Sequence, residues 1–367
     1  MRRVSLPALK EGMKVGRNVY SAGGQMLLAA GQRLTSRTIA RLAELGFTGI
    51  YVEDELAPDV APADMISEDT RAQATRLVAS ILEHGHKPSG EGKVLAAEAI
   101  RAVVARIVGE LLQQPRIMVD LSDIRSHDDY TFSHSVNVAV LALVTGMALG
   151  YPYSTLHNLG TGALLHDIGK MDIPLQILNK PRPLTAEEYE FVKRHAAFGA
   201  EIVAGRGDFG TTVTNIVLQH HERYGGQGYP GGLKHKDISP FAAVTSIADT
   251  YDAMTADRVY RRAHQPHEAY EFLAGSGNHL FDFNLVRHFL HHVAAYPTGT
   301  VVELSDRTVA VVTGNQPGQG TRPRVRVLWD GLGMLLRPPR EVDLAGETTL
   351  TVTRALAEDE IAGLPKP

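Results

Sequence analysis

The chain contains no cysteine, and this absence limits both its redox chemistry and its metal chemistry. The sequence gives no disulfide evidence for export, and it has no thiolate that could hold a metal ion. Any bound metal must therefore sit on nitrogen and oxygen ligands, which favours hard or borderline metal ions.

A long apolar run and an excess of positive charge are also missing. No stretch approaches the roughly 20 apolar residues that span a bilayer, and the start MRRVSLPALKEGMKVG lacks the apolar segment of a signal peptide. We therefore expect a cytoplasmic protein without a membrane partner. The 37 basic and 41 acidic residues give a formal charge of −4, so no general attraction for polymeric nucleic acid is expected.

The pattern along the chain predicts several domains. With 367 residues, of which 44% are hydrophobic and 21% charged, two or three compact folded units are expected. Residues 1–53 combine β-branched stretches with a helical run, Thr35–Leu45, that stops at Gly46, which indicates a small α+β module. Residues 54–69 are rich in alanine, proline and acidic residues and are predicted to be a linker that lets this module move.

The remaining segments are predicted to be connecting helices (70–114), a helical domain (115–296) and a β-rich unit (297–367) that contains the runs Gly299–Val312 and Arg324–Trp329. The apolar residues Ile100–Leu112 recur at spacings of three and four. This stripe would either pack on the next domain or form a homodimer, and the spacing fits both alternatives.

Five short stretches in the helical segment combine histidines with acids. Imidazole and carboxylate suit divalent metals such as Fe, Mn, Zn, Ni and Co, and a carboxylate can bridge two ions. Adjacent side chains on a helix diverge by about 100°, so His166 and Asp167 can both reach metal only around a widened, shared centre. The doublet therefore suits a bridged pair of metal ions. The set is too rich for one metal, whereas the other eleven histidines have no matching acid in a comparable motif and receive no role. The candidate ligands are His134, His166, Asp167, His195, His220, His221 and Asp249.

These stretches resemble the HD-GYP family of the HD phosphohydrolase superfamily across about 115–296. The matching motifs are His166-Asp167-Ile168-Gly169-Lys170, Leu178-Asn179-Lys180-Pro181, Leu184-Thr185, His220-His221-Glu222-Arg223, Gly228-Tyr229-Pro230, and Asp252-Ala253-Met254-Thr255 followed by Asp257-Arg258. The resemblance implies a multi-domain protein with a central all-α HD-type domain, flanked by the small α+β module and the small β-rich unit. It further implies hydrolysis of cyclic di-GMP to pGpG or GMP.

The resemblance also carries the ligand roles over to the same seven side chains, with Asp167 bridging the metals. Two divalent ions are expected, Fe or Mn. Some family members add a glutamate for a third metal one helical turn before the first histidine, where this chain has Tyr130. The family often has Asp-Gly where this chain has Gly225-Gly226, which puts the level of activity in doubt. This Gly-rich run is either a flexible turn or a loop whose amides approach the substrate.

Four side chains are predicted to contact the substrate. Lys170 lies four residues after His166 and would hold a phosphate oxygen on the same helical face, unless it is a surface lysine. Arg258 and Arg261 would clamp the second phosphate, as the equivalent basic pair does in the family, unless they are an exposed pair at a helix end. Tyr229 would contact a guanine face or a phosphate, or else serve as a packing anchor.

Three functions compete at this point. The first is an active cyclic di-GMP phosphodiesterase with Asp167 and Lys170 as catalytic residues. The second is a hydrolase of another cyclic dinucleotide or nucleotide. The third is a catalytically weak binder that recruits signalling partner proteins. The intact ligand set argues against the third function, and two arginines beyond Asp249 favour an open cleft for a cyclic dinucleotide.

Overall fold

The computed structural model describes residues 1–20, 26–47, 49–53, 57–62, 64–85, 97–114, 117–120, 130–178, 180, 182–205, 207–256 and 263–365. Two compact units are present, and each is described by itself. The first comprises Met1–Asp64, Met118–Asp129 and His291–Pro367, and the second comprises Met65–Ile117 and Tyr130–Leu290.

The N-terminal part of the first unit is a small α+β structure. Its elements are β1 (Arg2–Ser5), β2 (Val19–Tyr20), β3 (Met26–Leu28), α1 (Ser36–Glu44) and β4 (Gly49–Val52). Strand β1 pairs antiparallel with β4, and β2 pairs with β3. Helix α1 begins where Thr35 and Thr38 cap each other, and it ends before Gly46, whose φ of 78° is a conformation that glycine adopts easily.

The secondary-structure elements named in the described part of the second unit are all helices. Its helices are α2 (Glu68–Gly85), α3 (Ala97–Leu112), α4 (Tyr130–Ala148), α5 (Tyr153–Leu165), α6 (Leu175–Leu178), α7 (Ala186–Lys193), α8 (His195–Ala204), α9 (Thr211–Gln219), α10 (Pro240–Thr255), α11 (Pro266–Gly275) and α12 (Phe283–His291). Helix α4 is central and contacts α2, α3, α5 and α10. Its residues from Ser133 to Gly146 are all buried, as expected for a helix with almost no polar face.

The apolar stripe of α3 packs inside this unit. Ile100, Val104, Ile107 and Leu111 have 0% exposure, and α3 contacts α2, α4 and α5. The packing alternative therefore accounts for the stripe, although its last residue, Leu112, is 57% exposed. A homodimer through 70–114 stays a prediction.

The C-terminal part of the first unit is an antiparallel sheet with the strand order β8-β7-β6-β5-β9. The strands are β5 (Val301–Leu304), β6 (Val309–Gly314), β7 (Arg324–Trp329), β8 (Leu335–Asp343) and β9 (Val352–Ala355), and α13 (Glu358–Ala362) follows. The predicted run Gly299–Val312 is thus a hairpin of two strands. Strand β8 was not predicted because it contains Pro338 and Pro339, and prolines are tolerated there because β8 is an edge strand.

Part of the predicted linker 54–69 packs onto this sheet. Ala57 and Val60 are buried in one hydrophobic cluster with Trp329, and the carboxylate of Asp59 accepts two hydrogen bonds from Arg326, at 2.7 and 2.8 Å. The paired guanidinium holds the pKa of Asp59 at about 2, below its usual value. These contacts fix residues 57–60 within the first unit, so this stretch is not the free linker that its composition indicated.

The predicted fold class is confirmed: a central helical domain, a small N-terminal α+β region and a C-terminal β-sheet are all present. The domain boundaries placed at residues 53, 69, 114 and 296 stay predictions. Among the described helices, none is long and apolar enough to cross a membrane.

Candidate metal centre

The seven candidate ligands come together inside the second unit. Six of them are at most 8% exposed, and the side chain of His221 is 19% exposed. They converge because each stands on α4 or α10 or at the end of α5, α8 or α9, all of which pack around the same centre. They are His134 on α4, His166 and Asp167 after α5, His195 at the start of α8, His220 and His221 after α9, and Asp249 on α10.

The doublet His166-Asp167 occupies a turn, which differs from the predicted continuous helix. Helix α5 ends at Leu165, and Asp167 precedes a short 3-10 helix, Ile168–Asp172. The turn tightens because the main-chain nitrogen of His166 bonds to the carbonyl of Ala163, three residues back. Both side chains of the doublet therefore reach the centre from a turn rather than from a continuous helix.

Gly169 allows this turn to lie directly against α8. A Cβ atom at this position would stand 1.9 Å from the carbonyl oxygen of His195 and 2.4 Å from the main-chain nitrogen of Gly199. Only a residue without a side chain fits such a close approach of two backbones. Gly169 thereby sets the distance between Asp167 and His195.

Three of the five candidate imidazoles share one pattern of hydrogen bonding. The Nδ1 atoms of His166, His195 and His220 each donate to the carbonyl oxygen three residues earlier, at 2.7, 2.7 and 2.8 Å. A carbonyl only accepts, so these Nδ1 atoms carry the proton and, in the neutral ring, Nε2 presents a lone pair. The Nε2 atoms are therefore the available metal-binding atoms.

Asp167 belongs to two groups of potential ligand atoms. His134, His166 and Asp167 form one group, and Asp167, His195, His220 and His221 form the other. The Oδ2 atom of Asp167 is 3.3 Å from Nε2 of His166 and 3.9 Å from Nε2 of His134, whereas Oδ1 is 3.4 Å from Nε2 of His195. Each carboxylate oxygen thus faces one group.

The donor atoms fit a bound cation. Nε2 of His166 is buried and has no hydrogen-bond partner among the described residues, which is costly for a polar atom unless something binds it. Nε2 of His195 and Nε2 of His220 lie 3.3 Å apart, and both present lone pairs when the rings are neutral. A positive ion between such atoms removes the repulsion, so the set suits nitrogen- and oxygen-binding divalent metals.

The ionisation of the site follows from burial and neighbouring charge. Burial lowers the pKa of His220 well below its usual value and that of His221 to about 3, and both rings therefore stay neutral at pH 7. Burial acts to raise the pKa of Asp167, but the ammonium of Lys170 and the nearby histidines outweigh it and hold this pKa well below the usual range. The ring nitrogens and the carboxylate of Asp167 are thus in the protonation states that bind a cation.

Asp249 stands between the two groups. Its Oδ1 atom is 3.1 Å from Nε2 of His134, and its Oδ2 atom is 3.9 Å from Nδ1 of His221. Burial lowers the pKa of His134, but the hydrogen bonds to Asp249 and Asp252 outweigh it and raise this pKa to about 9. The carboxylates of Asp249 and Asp252 thus favour positive charge at this position, which again suits a cation.

A loop after α9 presents Tyr229 to the centre. The carboxylate of Glu222, which is 2% exposed, accepts hydrogen bonds from the main-chain nitrogens of Gly231 and Leu233, at 2.6 and 2.9 Å. Gly228 lets the loop fold back, since a Cβ atom there would stand 2.4 Å from the main-chain nitrogen of Arg223. The ring of Tyr229 consequently stacks on His221, with centroids 4.6 Å apart.

Two lysines border the same centre. The ammonium of Lys170 binds the Oδ2 atom of Asp167, and its side chain is 28% exposed. Its place beside the carboxylate follows from the 3-10 turn rather than from the predicted helical face. Lys193 was not predicted as a site residue, and its Nζ atom is 5.5 Å from the ring centroid of Tyr229. Arg258 and Arg261 lie outside the described residues.

The amides of the Gly-rich run are already bonded. The main-chain nitrogen of Gly225 donates to the carbonyl of His279, and that of Gly226 donates to the carbonyl of Arg223. Gly226 has a φ of 86°, which favours glycine at this turn. The turn alternative therefore describes these two residues, and their amides do not point freely at a substrate.

Sequence reasoning gave Asp252 no role, although its motif was noted. Its Oδ2 atom accepts a hydrogen bond from Nδ1 of His134 at 2.7 Å, and its Oδ1 atom accepts one from Asn137 at 3.1 Å. The available signal was spacing, because Asp252 lies three residues after Asp249 on α10, and Asn137 lies three residues after His134 on α4.

The comparisons with known proteins agree with this arrangement. Residues 120–285 match the family model described as HD domain. These residues therefore form an HD domain. Residues 301–364, which include the C-terminal sheet, match the model described as KOW domain associated with HD domain. The predicted relationship to HD domain proteins is thus confirmed for residues 120–285.

Curated relatives of this HD domain chain are bacterial phosphodiesterases by name. A cyclic di-GMP phosphodiesterase of Pseudomonas aeruginosa is 36% identical over 67% of this chain and 60% of its own length. A cyclic di-GMP phosphodiesterase of Thermotoga maritima is 31% identical over 49% of this chain and 48% of its own length. A 3′3′-cGAMP-specific phosphodiesterase of Vibrio cholerae is 37% identical over 36% of this chain and 29% of its own length. The matches thus span less than two thirds of each relative.

Proposed function

We propose that this protein is a metal-dependent phosphodiesterase that hydrolyses cyclic di-GMP to pGpG, to GMP or to both. The proposed cofactor is a pair of divalent metal ions, Fe or Mn. The side chains that would hold them are His134, His166, Asp167, His195, His220, His221 and Asp249.

The position of Asp167 carries this proposal. One of its carboxylate oxygens faces His134 and His166, and the other faces His195, so the residue stands where a bridging ligand is needed. Two divalent ions, when bound, activate water for attack on phosphorus and neutralise charge on the phosphate and the leaving oxygen. A single isolated metal would not require a carboxylate between two sets of imidazoles.

The surrounding side chains suit a phosphodiester. Lys170 donates to Asp167, and its ammonium has further N–H donors for a non-bridging phosphate oxygen. Tyr229 stacks on His221 and offers a ring edge and a hydroxyl at the rim of the centre. Arg258 and Arg261 remain proposed contacts for the second phosphate on the basis of sequence alone.

The relatives support a cyclic dinucleotide as the substrate class, since their names state cyclic di-GMP or 3′3′-cGAMP. Cyclic di-GMP is proposed because the most extensive of the three reported matches, to the Pseudomonas protein, has that substrate in its name. The cGAMP hybrid is the competing substrate. Both have two phosphodiester bonds and differ in one base.

The direct test is product chromatography with protein purified without oxygen and loaded with Fe²⁺ or Mn²⁺. Cyclic di-GMP, 3′3′-cGAMP, pGpG and simple nucleotides are offered in parallel, and metal content is measured on the same samples. Conversion of cyclic di-GMP to pGpG or GMP supports the proposal. Faster cleavage of 3′3′-cGAMP would transfer the assignment to that substrate.

A matched pair of variants connects the activity with the centre. His166→Ala removes a candidate ligand, whereas His157→Ala changes a histidine on α5 whose Nε2 contacts the carbonyl of Arg101. The first variant should lose metal and activity, and the second should keep both. Metal at full stoichiometry in the wild type, together with no cleavage of any of these compounds, would identify a binding protein.

A further inference from the structure

A continuous line of hydrogen bonds connects helix α2 with a candidate ligand. Nη1 of Arg71 donates to Oδ1 of Asn137 at 3.2 Å, and Nδ2 of Asn137 donates to Oδ1 of Asp252 at 3.1 Å. Oδ2 of Asp252 then accepts from Nδ1 of His134 at 2.7 Å. Asn137, Asp252 and His134 are each at most 5% exposed, so water does not compete strongly for these bonds.

The donors and acceptors along this line can be arranged in one way only. A guanidinium only donates, so the amide oxygen of Asn137 must face Arg71. The amide nitrogen of Asn137 then faces Asp252, whose ionised carboxylate only accepts. The carboxylate in turn accepts a hydrogen bond from Nδ1–H of His134. This leaves Nε2 of His134 as the atom that faces Asp249 and Asp167.

The beginning of α2 is itself held firmly by α3. The carboxylate of Glu110 accepts hydrogen bonds from the main-chain nitrogen of Ser67 at 2.6 Å and from the hydroxyl of Thr70 at 2.5 Å. Burial raises the pKa of Glu110, but these hydrogen bonds outweigh it and lower the pKa below its usual value. Arg71 follows Thr70 in this first turn, so Glu110 fixes the place from which its guanidinium reaches Asn137.

We propose that Arg71 is a positioning residue of the metal centre, which acts through Asn137 and Asp252 on the orientation of His134. This inference rests on the proposed metal centre. Arg71 lies outside residues 120–285, which match the HD domain model, so it adds α2 to the elements that shape the site. Any event that displaces the first turn of α2 would consequently change metal affinity at His134.

The experiment measures Mn²⁺ binding to the chelator-stripped full-length protein by calorimetry or by the electron paramagnetic resonance signal of free Mn²⁺. Outer partners of a ligating histidine typically contribute about 10–100-fold to metal affinity, and Asp252→Ala should fall in this range. Arg71→Met keeps most of the length of the side chain but removes the hydrogen-bond donor. It should weaken Mn²⁺ binding by about 3–10-fold, less than Asp252→Ala does, because Asp252 bonds to His134 directly. Arg71→Lys should recover part of this loss.

Arg76→Met is the matched control, because Arg76 is an exposed arginine on the same helix α2 and does not enter the line to His134. It should leave the Kd for Mn²⁺ unchanged. The decisive readout is the double variant Arg71→Met with Asp252→Ala, which should bind Mn²⁺ no worse than Asp252→Ala alone. A merely structural role of Arg71 would instead give additive losses.

The outcomes separate this inference from the proposed function. If the wild type binds no Mn²⁺, the metal centre itself is wrong. If the wild type binds Mn²⁺ and Arg71→Met binds it equally well, only the positioning role is wrong. Circular dichroism confirms folding, and Asn137→Ala, which interrupts the same line at its middle, replaces Arg71→Met if that variant does not fold. An unchanged Kd in Asn137→Ala would likewise overturn the inference.

Discussion

His195 and His220 bring their Nε2 atoms within 3.3 Å of each other, while each Nδ1 atom donates to a carbonyl three residues earlier. In the neutral rings, both facing nitrogens present lone pairs. The negative ends of two imidazole dipoles thus lie close together in a buried place. This arrangement is unfavourable in the apoprotein and becomes favourable when a cation lies between the rings.

Metal binding should therefore stabilise the fold. A ligand that binds only the folded state at about 100 times its Kd adds roughly 2.7 kcal/mol to the free energy of unfolding. Differential scanning calorimetry should show a higher Tm for the chelator-treated protein after Mn²⁺ is added. His220→Ala should lose most of this increase, and His157→Ala should keep it. An equal Mn²⁺ response in His220→Ala and the wild type would contradict the role of the pair.

The bridging position of Asp167 leads to a second prediction. Asp167→Asn keeps the size of the side chain but removes the charge that would be shared by two cations. We expect metal stoichiometry to fall and hydrolysis to drop by at least about 100-fold, because a direct ligand should matter no less than the outer partners do. Asp172→Asn, at the exposed end of the same 3-10 helix, is the control. Full metal content in Asp167→Asn would refute the bridge.

The sequence predicted the fold class and the convergence of the seven side chains, because both depend on local patterns. The apolar stripe of α3 and the continuous apolar character of α4 specify buried helices. The histidine and aspartate motifs predicted a shared site through their ligand chemistry, because buried imidazoles and carboxylates in such number suit metal ions. Strand β8 was missed because Pro338 and Pro339 argue against a strand unless its edge position is known.

The remaining features of the site depend on tertiary contacts. The turn at His166-Asp167 follows from the close approach of Gly169 to α8, and no spacing within one helix encodes such an approach. The line from Arg71 to His134 joins residues that are 63 positions apart in the numbering, and it begins on α2, a helix that contributes no predicted ligand. Periodicity identifies faces of helices, but it does not identify which polar side chains meet across them.

A third prediction concerns Gly169. Gly169→Ala places a Cβ atom 1.9 Å from the carbonyl oxygen of His195, a main-chain atom that cannot move aside alone. We expect destabilisation of about 3 kcal/mol or more, at or above the upper end of ordinary overpacking. Gly109→Ala on α3 is the matched control, because its Cβ would meet nothing within 4 Å, and alanine should stabilise that helix by about 1 kcal/mol. Urea denaturation measures both, and equal effects would contradict the close approach.

The last prediction concerns the loop that carries Tyr229. Glu222→Gln keeps one acceptor oxygen but replaces the other by a donor that faces the main-chain nitrogen of Gly231 or Leu233. A buried hydrogen bond lost in this way costs about 1–3 kcal/mol, which should loosen the loop. Because Tyr229 lies at the rim and the metal ligands do not bond to Glu222, KM for the cyclic dinucleotide should rise more than kcat falls. Metal content should stay at the wild-type value. Glu201→Gln, an exposed glutamate on α8, should change neither kinetic constant. A fall in kcat at constant KM would instead place Glu222 in the support of the metal centre.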